Sequence, residues 1–340
     1  GAGSVYTKAA AATNGDLVMD NNNVSGADSP VVDGTYTVAN LTVTKKARTV
    51  LSASDTITVT TNLTVSTDGI LVANSGTFSS SAATLTVAGN ATMDGVFTFA
   101  SATLPTGATL THETNTTTAV NKLDLTFTTL TIDSGGAISL NAKGYAGGGN
   151  DTNGSGPGGA TGTDNLCTSQ GGPGGSYGGS GGAGGYRTVG VTYGSLTAPT
   201  DLGSGGTGGD GSCTSGALGG AGGGALKLTV SGTLTVNGTI SATGATGAAG
   251  FGGGGGGSGG ALWLAVGTFA GTGAISANGG NGGDTAPETG GGGAGGRVAI
   301  TYTTKTHTGT ITAYGGATGT QAGGAGSVYT KAAAATNGDL

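Results

Sequence analysis

Apolar and hydroxyl side chains alternate along much of this chain, and between residues 40 and 132 the alternation comes in blocks. "NLTV" begins at Asn40 and again at Asn62, and "TLTV" begins at Thr84, so Leu41, Leu63 and Leu85 stand 22 residues apart. Weaker copies follow at Leu110 ("LTH") and Leu130 ("LTI"). A second apolar stretch trails each full copy: "TVL", then "GILVAN", then "GVFTFA". Period-two alternation is the pattern of a half-buried strand. A repeat of this length, with short strands and small turn residues, predicts one coil of a β-solenoid per repeat. Each coil would pair with the coils above and below, so that the core runs along an axis.

A longer period follows. "GALKLTV" starts at Gly224, "GALWLAV" at Gly260 and "GRVAITY" at Gly296, in steps of 36, and "GSVYTKA" at Gly326 comes after 30 more. A second strand trails each of the first three, as "GTISATG", "GAISANGG" and "GTITAYGG", with an earlier relative, "GAISLNAKG", at Gly136. Between these strands lie glycine tracts such as "GFGGGGGGSGG". Ordering glycine is costly, and a flexible linker is one reading of such tracts. Their alternation with strands, and the GGx triplets at 171–176 and 178–186, favour another. Three residues per turn is the period of an extended polyproline-II-like helix, whose buried copies must hydrogen-bond to one another. The expected fold is therefore all-β, a parallel β-helix or β-solenoid with Gly-rich, polyglycine-II-like helical lobes. Its parts are an end coil over 1–33, 22-residue coils over 34–134, a Gly-rich lobe over 135–223, 36-residue coils over 224–326, and a restart over 327–340.

The restart is literal. "GAGSVYTKAAAATNGDL" opens the sequence and recurs without substitution from Gly324 to Leu340, an offset of 323 residues. Perfect identity is expected of recent or homogenised tandem duplication, which makes the 340 residues a window on a longer array. Stacked about 4.8 Å apart, roughly ten coils would advance about 50 Å per unit.

Composition narrows the class. Gly supplies 79 of 340 residues, charged residues only 8% and aromatics 5%, with a net charge of −6. Low charge argues against disorder, and the acidic balance against nucleic acid or an anionic membrane as partner. No apolar run reaches the roughly 20 residues that span a bilayer. Cys167 and Cys213, the only cysteines, lack the partners of a zinc site; they suggest one disulfide in an oxidising, extracellular setting, two unpaired thiols being the alternative.

Candidate chemistry is sparse. His112 and His307 sit in no triad context, Glu113 and Glu288 are far apart, and the aspartates are scattered, so no catalytic residue and no enzyme activity are expected. Asp16, Asp20, Asn22, Asp28 and Asp33 form the densest set of oxygen ligands and a weak calcium candidate; turn chemistry is the alternative. No other cofactor is expected. Trp263 replaces Lys227 one copy later and would face outward, as a contact surface or an incidental aromatic. N-glycosylation sequons occur at Asn23, Asn40, Asn62, Asn90, Asn115, Asn150, Asn153 and Asn237.

Three stretches, "GGGGSGGALWLAVGTFAGTGAISANGGNGG", "GGGGAGGRVAITY" and "GSVYTKAAAATNGDLVMDNNN", resemble glycine-rich tandem modules of very large surface or secreted proteins of bacteria and archaea. The glycine tracts also look like the packed glycine-helix lobes of certain phage tail adhesins and of an animal receptor kinase. The resemblance implies an extracellular structural or adhesive role and brings no catalytic residues with it. The leading expectation is a structural module of an extracellular filament or cell-surface stalk. Its partners would be further copies of itself, joined head to tail or bundled laterally. The alternative is an adhesin that binds carbohydrate, such as cell-surface glycans. Ice binding is a third, to which the irregular spacing of the Thr-x-Thr pairs is an objection.

Overall fold

The computed structural model describes residues 2–31, 34–161, 170–185, 187–211, 216–284, 288–317 and 321–340. Among them there is no α-helix, and every regular element is a strand. The first half holds β1 (Gly3–Thr7), β2 (Asp16–Asp20), β3 (Ser29–Val31), β4 (Thr35–Thr44), β5 (Arg48–Leu51), β6 (Thr56–Ser66) and β7 (Gly69–Ala73). It continues through β8 (Thr77–Ser79), β9 (Thr84–Ala88), β10 (Asn90–Leu104), β11 (Thr109–Thr111), β12 (Leu123–Ile132) and β13 (Ala137–Ser139). After the Gly-rich stretch come β14 (Ala225–Val236), β15 (Thr239–Ser241), β16 (Ala261–Ala270), β17 (Ala274–Ser276), β18 (Arg297–Lys305), β19 (Ile311–Thr312) and β20 (Ser327–Ala332).

The twenty strands join one long, mostly parallel sheet, an arrangement compatible with a β-solenoid. Among the described residues the β1–β2 hairpin is the only antiparallel pairing between strands. The parallel ladders fall into three series. One takes the first half of each long strand, and its buried column runs Leu125, Leu228, Leu264, Ile300. Another takes the second halves. There Leu41, Leu63 and Leu85 stack as their 22-residue spacing predicts, and the column continues through Ala102, Leu130, Leu234 and Phe269. Leu110, expected as a further copy of this column, belongs instead to the third series, with Ala91, Ile138, Ile240 and Ile275.

Alternate residues of every series turn inward to one continuous core, from Met19 at one end to Ile300 at the other. Each fully buried Leu or Phe there contributes about 1.5–3 kcal/mol of transfer free energy. Many outward positions carry threonine. Thr42, Thr64, Thr86, Thr103, Thr131 and Thr235 stand in register on successive strands. Their sequence intervals are irregular, yet each is one strand step in space, because loops of different length absorb the difference.

The glycine tracts between strands are ordered against one another. The tract over 253–260 is the clearest case. Gly253, Gly256 and Gly259 donate their N–H groups to Glu288, Gly291 and Ala294, while Gly254, Gly257 and Gly260 donate to Ala248, Ala245 and Ala242. Gly255 and Ser258 donate to Thr207 and Ser204. Every third N–H thus serves the same neighbour, and three neighbours are served. Three further segments, through Gly172 and Gly175, Gly220 and Gly223, and Gly280 and Gly283, donate into its carbonyls. Six segments therefore surround it, and a side chain has almost nowhere to go. A Cβ added at Gly256 or Gly257 would fall inside 3.0 Å of the backbone oxygen of Gly280 or Ala221. This accounting satisfies backbone groups buried without any strand or helix ladder.

A small second core seats this array on the sheet. Tyr177 and Leu202 pack on Ala225 and Ala261 of the long strands. Arg297 lies over the Tyr177 ring at 5.6 Å and donates Nε–H to the Tyr193 carbonyl.

Candidate functional site: the terminal strands and a partly buried charge cluster

The two copies of the 17-residue sequence stand at opposite ends of the sheet. In the second copy, β20 adds in parallel to β18, with Val298 opposite Val328, Ala299 opposite Tyr329 and Ile300 opposite Thr330. Val328 packs against the main core, and Tyr329 follows Trp263 and Ala299 on the outer side. In the first copy, β1 pairs with β2, and among the described residues no strand pairs with its other edge. Ser4 lies opposite Met19 and Tyr6 opposite Leu17. Met19 is buried, so Ser4 and Tyr6 face the core side, where they line a mostly apolar cavity of about 520 Å³ with Leu17, Met19, Val31 and Tyr36. Val5, on the opposite side, is 59% exposed.

The second copy also begins the hairpin of the first. Thr7 pairs with Asp16 across β1–β2, and Thr330 pairs with Asp339 in the same antiparallel sense. Gly15 closes on the ring of Tyr6 as Gly338 does on that of Tyr329. The turn bond from the Ala12 N–H to the Ala9 carbonyl recurs from Ala335 to Ala332. Strand β20 thus has β18 on one edge and the start of a new hairpin on the other.

The scattered acidic residues do not all stay apart. Arg48 grips Glu113 through both carboxylate oxygens, at 3.1 and 2.8 Å, and also bonds Asp28. The Glu113 N–H donates to both oxygens of Asp94, at 3.1 and 3.2 Å. Asp94 is fully buried, and burial pushes its carboxyl up to about 7. Next to it, His112 Nδ1 lies 2.7 Å from the Glu113 carbonyl, and its Nε2 lies 3.2 Å from the Ala225 nitrogen. Since the Ala225 N–H can only donate, Nε2 accepts and Nδ1 carries the proton. Burial holds this neutral imidazole down to about 4. The cluster ties β5 and β10 to the connection between β11 and β12, and Glu113 also borders an open depression with Thr92, Asn121 and Lys143. Its members are 19 and 65 residues apart, which is why the sequence concealed them.

The described calcium candidates have other partners. Asp16 accepts from Asn40 Nδ2 at 2.7 Å, Asp20 pairs with Lys45 at 2.7 Å, and Asp28 is taken by Arg48. Asp20 Oδ1 also accepts from the Asn22 N–H at 2.7 Å, as in an Asx turn. Asp33, Cys167 and Cys213 lie outside the described residues, and no group of three or more His, Cys, Asp or Glu side chains placed to hold a metal occurs among those described.

Trp263 is partly exposed beneath Lys227 Nζ, which sits 5.6 Å from its ring centroid. Of the sequon asparagines, Asn23, Asn90, Asn153 and Asn237 are exposed. Asn40 and Asn62 are partly buried and bond to each other at 3.0 Å, and Asn150 is partly buried too. Asn115 is buried, with its amide bonded to the carbonyls of Asn121 and Lys143.

No protein-family model, curated protein or solved structure matches the chain.

Proposed function

We propose that the chain is a structural module of an extracellular filament or stalk, a β-solenoid with a polyglycine-II-like lobe whose units stack head to tail. The observation that carries this reading is the seating of β20 on β18 in full parallel register by a sequence identical to β1. A free strand edge invites pairing with another chain; here the edge of β18 is covered by the sequence that opens the next unit. The glycine array supports the reading as well, because its dense backbone bonding suits a rigid load-bearing body. Chains of one, two and three units, imaged by electron microscopy, should be stiff rods whose length grows in proportion to unit number. Beads on flexible tethers would refute the reading.

One observation favours a second reading. The outward column Thr42, Thr64, Thr86, Thr103, Thr131 and Thr235 recurs at one strand step each, which answers the objection from irregular spacing for that column. A regular hydroxyl array of this kind suits an ordered water or ice surface. Thermal hysteresis by the 340-residue chain would support it; its absence at high protein concentration would eliminate it.

A further inference from the structure

We infer that the joining strand lies between two cores, so that successive units sit on opposite sides of it and the stacking axis steps sideways at every junction. The inference rests on the head-to-tail reading above and adds the geometry of the joint.

Side-chain parity carries the argument. In β20 the residues turned to the preceding core are Val328 and Thr330, since they stand opposite Val298 and Ile300, both buried. Their counterparts 323 residues earlier are Val5 and Thr7. In β1, however, the residues turned to the core are Ser4 and Tyr6, opposite Met19 and Leu17. The same strand shows one side to the core behind it and the other side to the core ahead. These demands are compatible, because β18 and the next hairpin strand occupy different edges of it.

The hairpin explains the change of side. Antiparallel pairing reverses strand direction while stacking continues the same way. A coil of unchanged handedness must then close on the other face of the sheet. The chain already shows the first step. Leu340, the counterpart of core-packed Leu17, follows Asp339 next to Tyr329, on the outer side of the preceding unit, and is 81% exposed. The sequence fits a strand covered on both faces, which carries apolar residues consecutively rather than alternately. Val5 and Tyr6 are adjacent and both are more than half exposed here. Trp263 lies on the same outer side, two strands from Tyr329, beside the place where the next core would open.

Hydroxyl-radical footprinting of a chain of two units, residues 1–340 continued by a second copy of 18–340, tests this without substitutions. Terminal Val5 and Tyr6 serve as internal standards for junction Val328 and Tyr329. The inference expects both junction side chains to be oxidised several-fold more slowly than their terminal counterparts. Protected Val328 with Tyr329 as reactive as Tyr6 would overturn the inference while leaving the seating of β20 on β18 intact. Val328 as reactive as Val5 would mean that the units do not stack, and would overturn the reading beneath it.

Discussion

Asp94 and His112 give the fold a pH dependence that can be worked out side chain by side chain. The Asp94 carboxyl is raised from 3.8 to about 7 by burial, so the folded chain holds that proton more tightly than the unfolded one. Ionised Asp94 therefore costs nothing at low pH, and its cost grows as pH rises from about 4 to about 7. His112 is lowered from 6.5 to about 4, so its cost is absent above 6.5 and grows as pH falls toward 4. An Asp94→Asn variant removes only the first effect. Its stability relative to the native chain should rise with pH across that window and then level off, by on the order of a few kcal/mol in all. Thermal unfolding at pH 4.5 and pH 8 measures this, and a difference that shrinks with pH would contradict the buried carboxyl. None of this was legible beforehand. Arg48, Asp94 and Glu113 come from segments separated by loops whose lengths follow no period, and only the ladders bring them together.

At the scale of elements, the regular strand repeats were legible and the irregular ones were not. Leu41, Leu63 and Leu85 announced their column because the loops between them are of equal length. Ala102 did not, because it is an alanine reached after a shorter, 17-residue step, and Leu234 follows Leu130 only after the whole Gly-rich stretch. The GGx triplets gave the three-residue period of the glycine tracts, but not the six neighbours around 253–260, which derive from chain segments far apart in sequence. That packing makes a sharp contrast between two glycines. Gly256→Ala would drive a methyl into the Gly280 carbonyl and should cost more than about 3 kcal/mol or prevent folding of the array. At Gly149 the nearest atom to an added Cβ is Thr152 Oγ1, 3.5 Å away, so Gly149→Ala should leave stability nearly unchanged. Denaturant unfolding of both variants checks the pair; equal effects would argue that the tracts are not close-packed.

For the whole molecule, the recurring 17 residues point to continuation into a further unit, whereas the change of side inferred for the joint leaves no mark in them. Identical residues occupy both copies, and only their neighbours tell β1 from β20. The ladders also define how far a unit advances. From β1 through β2, β4, β6, β9, β10, β12, β14, β16 and β18 to β20 there are ten successive pairings. With neighbouring strands about 4.8 Å apart, units stacked as proposed would repeat roughly every 48 Å along the axis, close to the value reached from sequence periods. The most direct test is a helical reconstruction of the assembled filament, read for its axial rise per 323-residue unit. A rise near 48 Å, with strands running across the axis, is the expected result. A rise beyond about 70 Å, or units with no fixed axial repeat, would contradict continuous head-to-tail stacking.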